Sequence, residues 1–158
     1  MTDALITAAR SMFDRSVAEM RAAIDGASPE ALNWRPAGEG TNSIAVLAVH
    51  SMHSSRSWFC VATGTPEPPR DRDAEFVSSA EDADALLSTV DAMTADCRDL
   101  LSTEALLDWS QPRTTERQHT SAPRPISAAW ALMHALEHLR EHVAHLQLTR
   151  QLWDRREG

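Results

Sequence analysis

The chain has no tyrosine, only two cysteines and five glycines, and no long hydrophobic run anywhere in its 158 residues. Each shortage excludes something. The longest apolar stretch, Ile44 to Val49, is six residues, against the ~20 that a membrane-spanning helix requires. No membrane partner is expected. The N-terminus carries Asp3 and no basic region, so it does not read as a secretory signal, and the cytoplasm is the expected compartment. Cys60 and Cys97 form no CxxC pair, which makes them buried, reduced thiols rather than a disulfide or a redox pair. With no tyrosine and no Ser–His or Cys–His arrangement at a recognisable spacing, no protein nucleophile stands out. Fifteen basic residues face 23 acidic ones, for a net charge of -8. No basic run exists to neutralise phosphates, which excludes nucleic acid as a partner.

What is present is a soluble composition, 42% hydrophobic and 24% charged, in a length that suits one domain over 1–158. Apolar residues recur at three- and four-residue steps in four long segments. The first spans about Asp3 to Ile24, through Leu5, Met12, Phe13, Val17, Met20 and Ile24, and stops at Asp25-Gly26. Ser28 then caps a short helix with Pro29 in its first turn. The second long helix starts near Ser43 and reaches Thr63. GTPEPPRDRD after it reads as a loop, on the strength of three prolines. A third opens on Ser78 and Glu81 at capping-box spacing and continues through Leu86, Val90, Met93 and Cys97. A polar connection covers about 108 to 125, and the last helix runs from a Ser127 cap to about Trp153. No segment alternates as a strand. Four long amphipathic helices predict an all-α, four-helix bundle.

The last helix carries HALEHLREHVAH, with four histidines in twelve residues. At about 100° per residue, His138, His142 and His145 fall about 40°, about 80° and about 20° from His134, beside a stripe of leucines at about 120–200°. Imidazoles on a packed edge need partners, because an unpaired polar group there costs about 1–3 kcal/mol. His138 and His142, one turn apart, have the separation that lets two imidazoles reach one metal ion. A third can come from the second long helix, where His50 interrupts an apolar run and His53 shares its side. Three neutral imidazoles with an open position make a catalytic rather than a closed metal site. With an ordinary pKa near 6.5, such ligands would lose metal to protons below about pH 6. Paired Glu-x-x-His motifs, the mark of a di-iron bundle, are absent.

L32-N-W-R-P36, H50-S-M-H-S-S-R-S-W58-F59 and H138-L-R-E-H142-V-A-H145, in this order and spacing, resemble the DinB-like (YfiT-like) superfamily. That superfamily includes the metal-binding domain of mycothiol-dependent maleylpyruvate isomerase, and the resemblance covers nearly the whole chain. It implies an up-down-down-up bundle holding a divalent metal, Zn2+ or Ni2+, on His50, His138 and His142. It also implies thiol-dependent transferase, isomerase or hydrolase chemistry on a small-molecule substrate, with a low-molecular-weight thiol as co-substrate. One branch of the superfamily carries H-x-G-H-x-D, where this chain has Ala144 and Gln147 in place of the Gly and Asp. The alternative is a non-catalytic metal-containing bundle that binds a small ligand or partner in a stress response.

Two residues are candidates for acid–base work. Glu141, beside His142 in sequence, is either a general base toward metal-bound water or a solvated rim residue. His53 is either an outer partner of the ligands or a pocket-lining acid/base. Trp58 reads as a packing residue, and His134 and His145 as outer or exposed histidines. Burial on both the leucine and the histidine side of the last helix predicts a homodimer.

Overall fold

The structure is a computed structural model, and it describes residues 4–102, 107–114 and 125–156. The long helices are α1 (Ala4–Ile24), α3 (Ile44–Thr63), α5 (Ala83–Leu100) and α6 (Ala128–Arg156). Two five-residue helices, α2 (Pro29–Asn33) and α4 (Arg72–Phe76), sit in the connections before and after α3. The pairs that pack extensively are α3 with α6 and α5, and α1 with α6 and α5. Helices α1 and α3 therefore face each other across one diagonal, where Phe13 and Phe59 meet edge to face at 5.5 Å. An all-α bundle of four long helices is the fold, as the sequence predicts.

Sequence chemistry explains where the helices begin. Ser28 accepts from the Ala31 amide at 3.2 Å, Ser43 from Val46 at 3.2 Å and Ser127 from Trp130 at 3.1 Å, each satisfying a first-turn donor that the helix leaves open. Helix α3 ends on Gly64, whose φ of 77° is the left-handed C-cap conformation that glycine adopts without steric cost. Helix α5 departs from expectation. Its cap is Asp82, which accepts from Ala85 at 2.8 Å, while the Ser78 hydroxyl donates back to the Ala74 carbonyl at 3.2 Å. The capping-box reading was wrong by four residues because Asp82 is itself a good cap and Ser78 still belongs to the end of α4.

Helix α3 is buried almost all round, as the central member of a bundle must be. Its serines fit there because they close their hydrogen bonds inside the helix: Ser51 donates to Ala48 at 3.1 Å and Ser55 to Ser51 at 2.8 Å. On α1 the buried face is Ile6, Ala9, Phe13, Val17, Met20 and Ile24. Met12, expected on that face, is 47% exposed, since it precedes Phe13 by one residue and so points about 100° away. The polar connection contributes a two-residue antiparallel pairing, β1 (Pro112–Arg113) with β2 (Ile126–Ser127).

Helix α6 is covered on two sides within one chain. Helix α3 packs over its histidines, and α1 lies beside Arg140 and Gln147, both of which bond Glu19. Burial on both sides of α6 is thus met within one chain. Cys60 and Cys97 are free and buried. No helix among the described residues is long and apolar enough to cross a membrane.

Candidate metal centre

Close packing of α3 on α6 brings His50 against His138 and His142. Ring centroids lie 5.4 Å (His50–His138), 5.1 Å (His50–His142) and 4.3 Å (His138–His142) apart. One nitrogen from each of the three falls within 4.8 Å of the others. The His138 and His142 Nε2 atoms are 3.1 Å apart, close to the ~3.3 Å edge of a tetrahedron with Zn–N bonds of about 2.0–2.1 Å.

The environment keeps His138 and His142 neutral. Burial, then the neighbouring imidazoles, pushes His138 down to about 3, and burial, then His50 and His145, pushes His142 down to about 4. Neutral imidazoles present the lone pairs that a metal needs, and at neutral pH no proton competes for these two. The Nδ1 atoms of both rings are buried with no hydrogen-bond partner. A single His138–His142 contact can satisfy only one proton, so the pair is under-satisfied as two bare histidines. Three nitrogen donors, a near-tetrahedral separation and depressed basicity fit a divalent borderline-soft ion.

Sequence reasoning missed Glu75. It lies on α4, is 3% exposed, and its Oε2 accepts from His50 Nδ1 at 2.9 Å. Arg70 donates to the same carboxylate through Nε at 2.5 Å and Nη2 at 2.7 Å. Although burial opposes it, bonding to Arg70 and His50 lowers Glu75 to about 2. The available signal was weak: Asp71 caps α4 by accepting from Ala74 at 3.0 Å, which an Asp followed by acidic residues can announce. A pairing with His50 across 25 residues has no sequence periodicity to reveal it.

The other candidates separate clearly. His53 is half-buried on α3, and burial lowers its pKa. Glu141 is exposed on α6, outside the converging group. Trp58 is buried and meets Trp130 at 5.6 Å and His134 at 4.7 Å, both edge to face. His134 stacks on Trp130 at 4.7 Å. These three rings wall the cluster on the His138 side, where His134 and His138 are 5.8 Å apart. His145 is exposed, and His119 lies outside the described residues.

The depressed imidazoles fix a pH response of the metal-free protein. An unfolded chain binds protons at its histidines near 6.5, whereas folded His138 and His142 refuse them until about 3 and about 4. Stability from this source is complete above about pH 6.5 and drains away as pH falls toward 4. Glu75 adds a second, lower window, between its ordinary 4.5 and about 2. The melting temperature of metal-free protein is therefore expected to drop between pH 7.5 and pH 5, and the drop should shrink in a His138→Gln/His142→Gln double variant. Equal melting temperatures at the two pH values for the parent chain would contradict the buried-neutral assignment.

A four-helix bundle with three histidines converging between its second and fourth long helices defines a DinB-like scaffold with a cluster that could hold a metal. Within that class the chain belongs to the mycothiol-S-transferase family, whose model matches residues 8–155. A crystal structure described as the conserved protein of locus from Enterococcus faecalis superposes with a TM-score of 0.72 at 14% identity, over 96% of this chain and 97% of that one. At that identity the likeness shows the shared fold. No curated protein matches the chain.

Proposed function

We propose that the chain is a metal-dependent thiol S-transferase, in which His50, His138 and His142 hold a divalent ion, Zn2+ or Ni2+. The observation that carries this reading is the convergence of three imidazoles, two of them held neutral by burial, on a mycothiol-S-transferase fold. A low-molecular-weight thiol, mycothiol by family membership, joins an electrophilic small molecule. When bound, the ion would supply Lewis acidity, lowering the pKa of a sulfur or oxygen placed on it.

The chain's own residues have distinct tasks. The three ligand histidines occupy part of the ion's sphere and leave room for one further group. His53, half-buried one turn beyond His50 with its pKa lowered by burial, can relay to solvent the proton that the thiol gives up. Glu141 is exposed, so its service as a base is the less supported assignment. Trp58, Trp130 and His134 offer an apolar wall against which the electrophile can lie. The two free, buried cysteines suit a reducing compartment, consistent with the cytoplasm.

Conjugation of mycothiol to a chlorobimane, read by fluorescence, tests the reading. Zinc- or nickel-loaded protein is expected to accelerate it above buffer, and metal-stripped protein to match buffer. A loaded protein that matches buffer with mycothiol, cysteine and coenzyme A alike would make the chain a metal-containing binding module instead.

A further inference from the structure

We propose that Glu75 is the positioning residue of the metal site, clamped by Arg70 so that its carboxylate holds the His50 ring with the proton on Nδ1 and Nε2 free for the cluster. The proposal deepens the metal reading above and rests on it. A carboxylate is an acceptor only, so the nitrogen 2.9 Å from Glu75 Oε2 must carry the hydrogen. In a neutral imidazole that leaves the lone pair on the other nitrogen. Such carboxylate–histidine pairs behind a metal ligand fix its tautomer and ring orientation.

The carboxylate is not one of the converging donors. Both of its oxygens are engaged, Oε1 by Arg70 Nε and Oε2 by Arg70 Nη2 and His50. Its plane is fixed by the two-pronged Arg70 contact, the geometry in which arginine holds a carboxylate most rigidly. The His50 ring is confined from a second direction by Phe76, with centroids 4.6 Å apart, and Arg72 lies over the Phe76 ring at 4.7 Å.

The short helix that carries Glu75 is itself tied down by the segment preceding α3. Asn33 exchanges two bonds with the Ala80 backbone, at 2.8 and 3.0 Å, and Arg35 donates to the Phe76 carbonyl at 2.9 Å. A five-residue helix has too few internal bonds to hold a position alone. Its placement over His50 is therefore braced by Asn33 and Arg35 of the L32–P36 motif.

Two measurements test the assignment. Long-range 15N–1H correlation of the metal-free parent chain reports the His50 tautomer and is expected to show Nδ1–H. Competition against a chromophoric chelator gives the metal affinity, which should weaken by roughly 10–100-fold in Glu75→Ala and by less in Glu75→Gln, which keeps an acceptor oxygen in the same volume. In Glu75→Ala the Nδ1–H preference should also be lost. An Nε2–H tautomer in the parent chain overturns the proposal, as does a folded Glu75→Ala with metal affinity within about threefold of the parent. Should Glu75→Ala not fold, Glu75→Gln and the parent tautomer decide. A purely structural role would lower the melting temperature while leaving affinity and tautomer unmoved. A parent chain that binds no metal defeats the metal reading, whereas the tautomer still decides the positioning.

Discussion

His142→Ala is expected to weaken divalent-metal binding by more than the roughly 100-fold that loss of an outer partner can cost, while His119→Ala leaves it unchanged. The parent chain should take up about one ion. The asymmetry follows from placement. His142 contributes one of three nitrogens lying within 4.8 Å of each other, and its loss leaves two donors, fewer than the three protein ligands of an open zinc site. His119 stands by sequence in the polar connection, outside both helices. Titration of chelator-stripped protein, with elemental analysis of the product, gives both numbers. Equal effects of the two substitutions would remove His142 from the ligand set, and no stoichiometric uptake by the parent would remove the site. His138→Ala should behave like His142→Ala, because the 3.1 Å Nε2 separation makes the pair a unit.

The three-histidine cluster could be anticipated because its geometry is written in helical periodicity. His138 and His142 are four apart on one helix, and His50 is the polar residue in an otherwise apolar stretch of another. A wheel projects all three toward packed faces without knowledge of the tertiary structure. The caps at Ser28 and Ser127, and the helix start near Ser43, were legible for the same local reason, since a cap bonds amides two or three residues away. Glu75 was not legible. A five-residue helix offers barely more than one turn of periodicity, and PEPPRDRDAEF carries the prolines and charges of a loop. What makes Glu75 part of the site is its contact with His50 and the bracing of α4 by Asn33 and Arg35, all of it long-range. Met12 and Ser78 failed more simply: both obey a local rule that a neighbouring residue, Phe13 or Asp82, satisfies better.

Addition of a low-molecular-weight thiol to cobalt-substituted protein is expected to produce a near-ultraviolet charge-transfer band and to release about one proton per chain. Three histidine nitrogens leave an open position, and a thiolate is the soft anionic donor that such an ion favours. A free thiol near 8.5 is mostly protonated at neutral pH, so binding as thiolate must expel its hydrogen, which an indicator dye in weak buffer records. The histidine environment sets how far this persists into acid. Ordinary imidazoles would surrender the metal below about pH 6, but burial holds His138 at about 3 and His142 at about 4. Proton competition at those two ligands is thereby moved well below the acid range in which a solvent-exposed three-histidine site would empty. The charge-transfer band should accordingly survive at pH 5.5 if thiol is raised to offset the greater cost of deprotonating it. Loss of the band near pH 6 regardless of thiol concentration would show the cluster titrating as exposed imidazoles do. A cobalt spectrum unchanged by mycothiol, cysteine and coenzyme A at pH 7.5 would instead leave water as the group in the open position and turn the assignment from transferase toward hydrolase or binder.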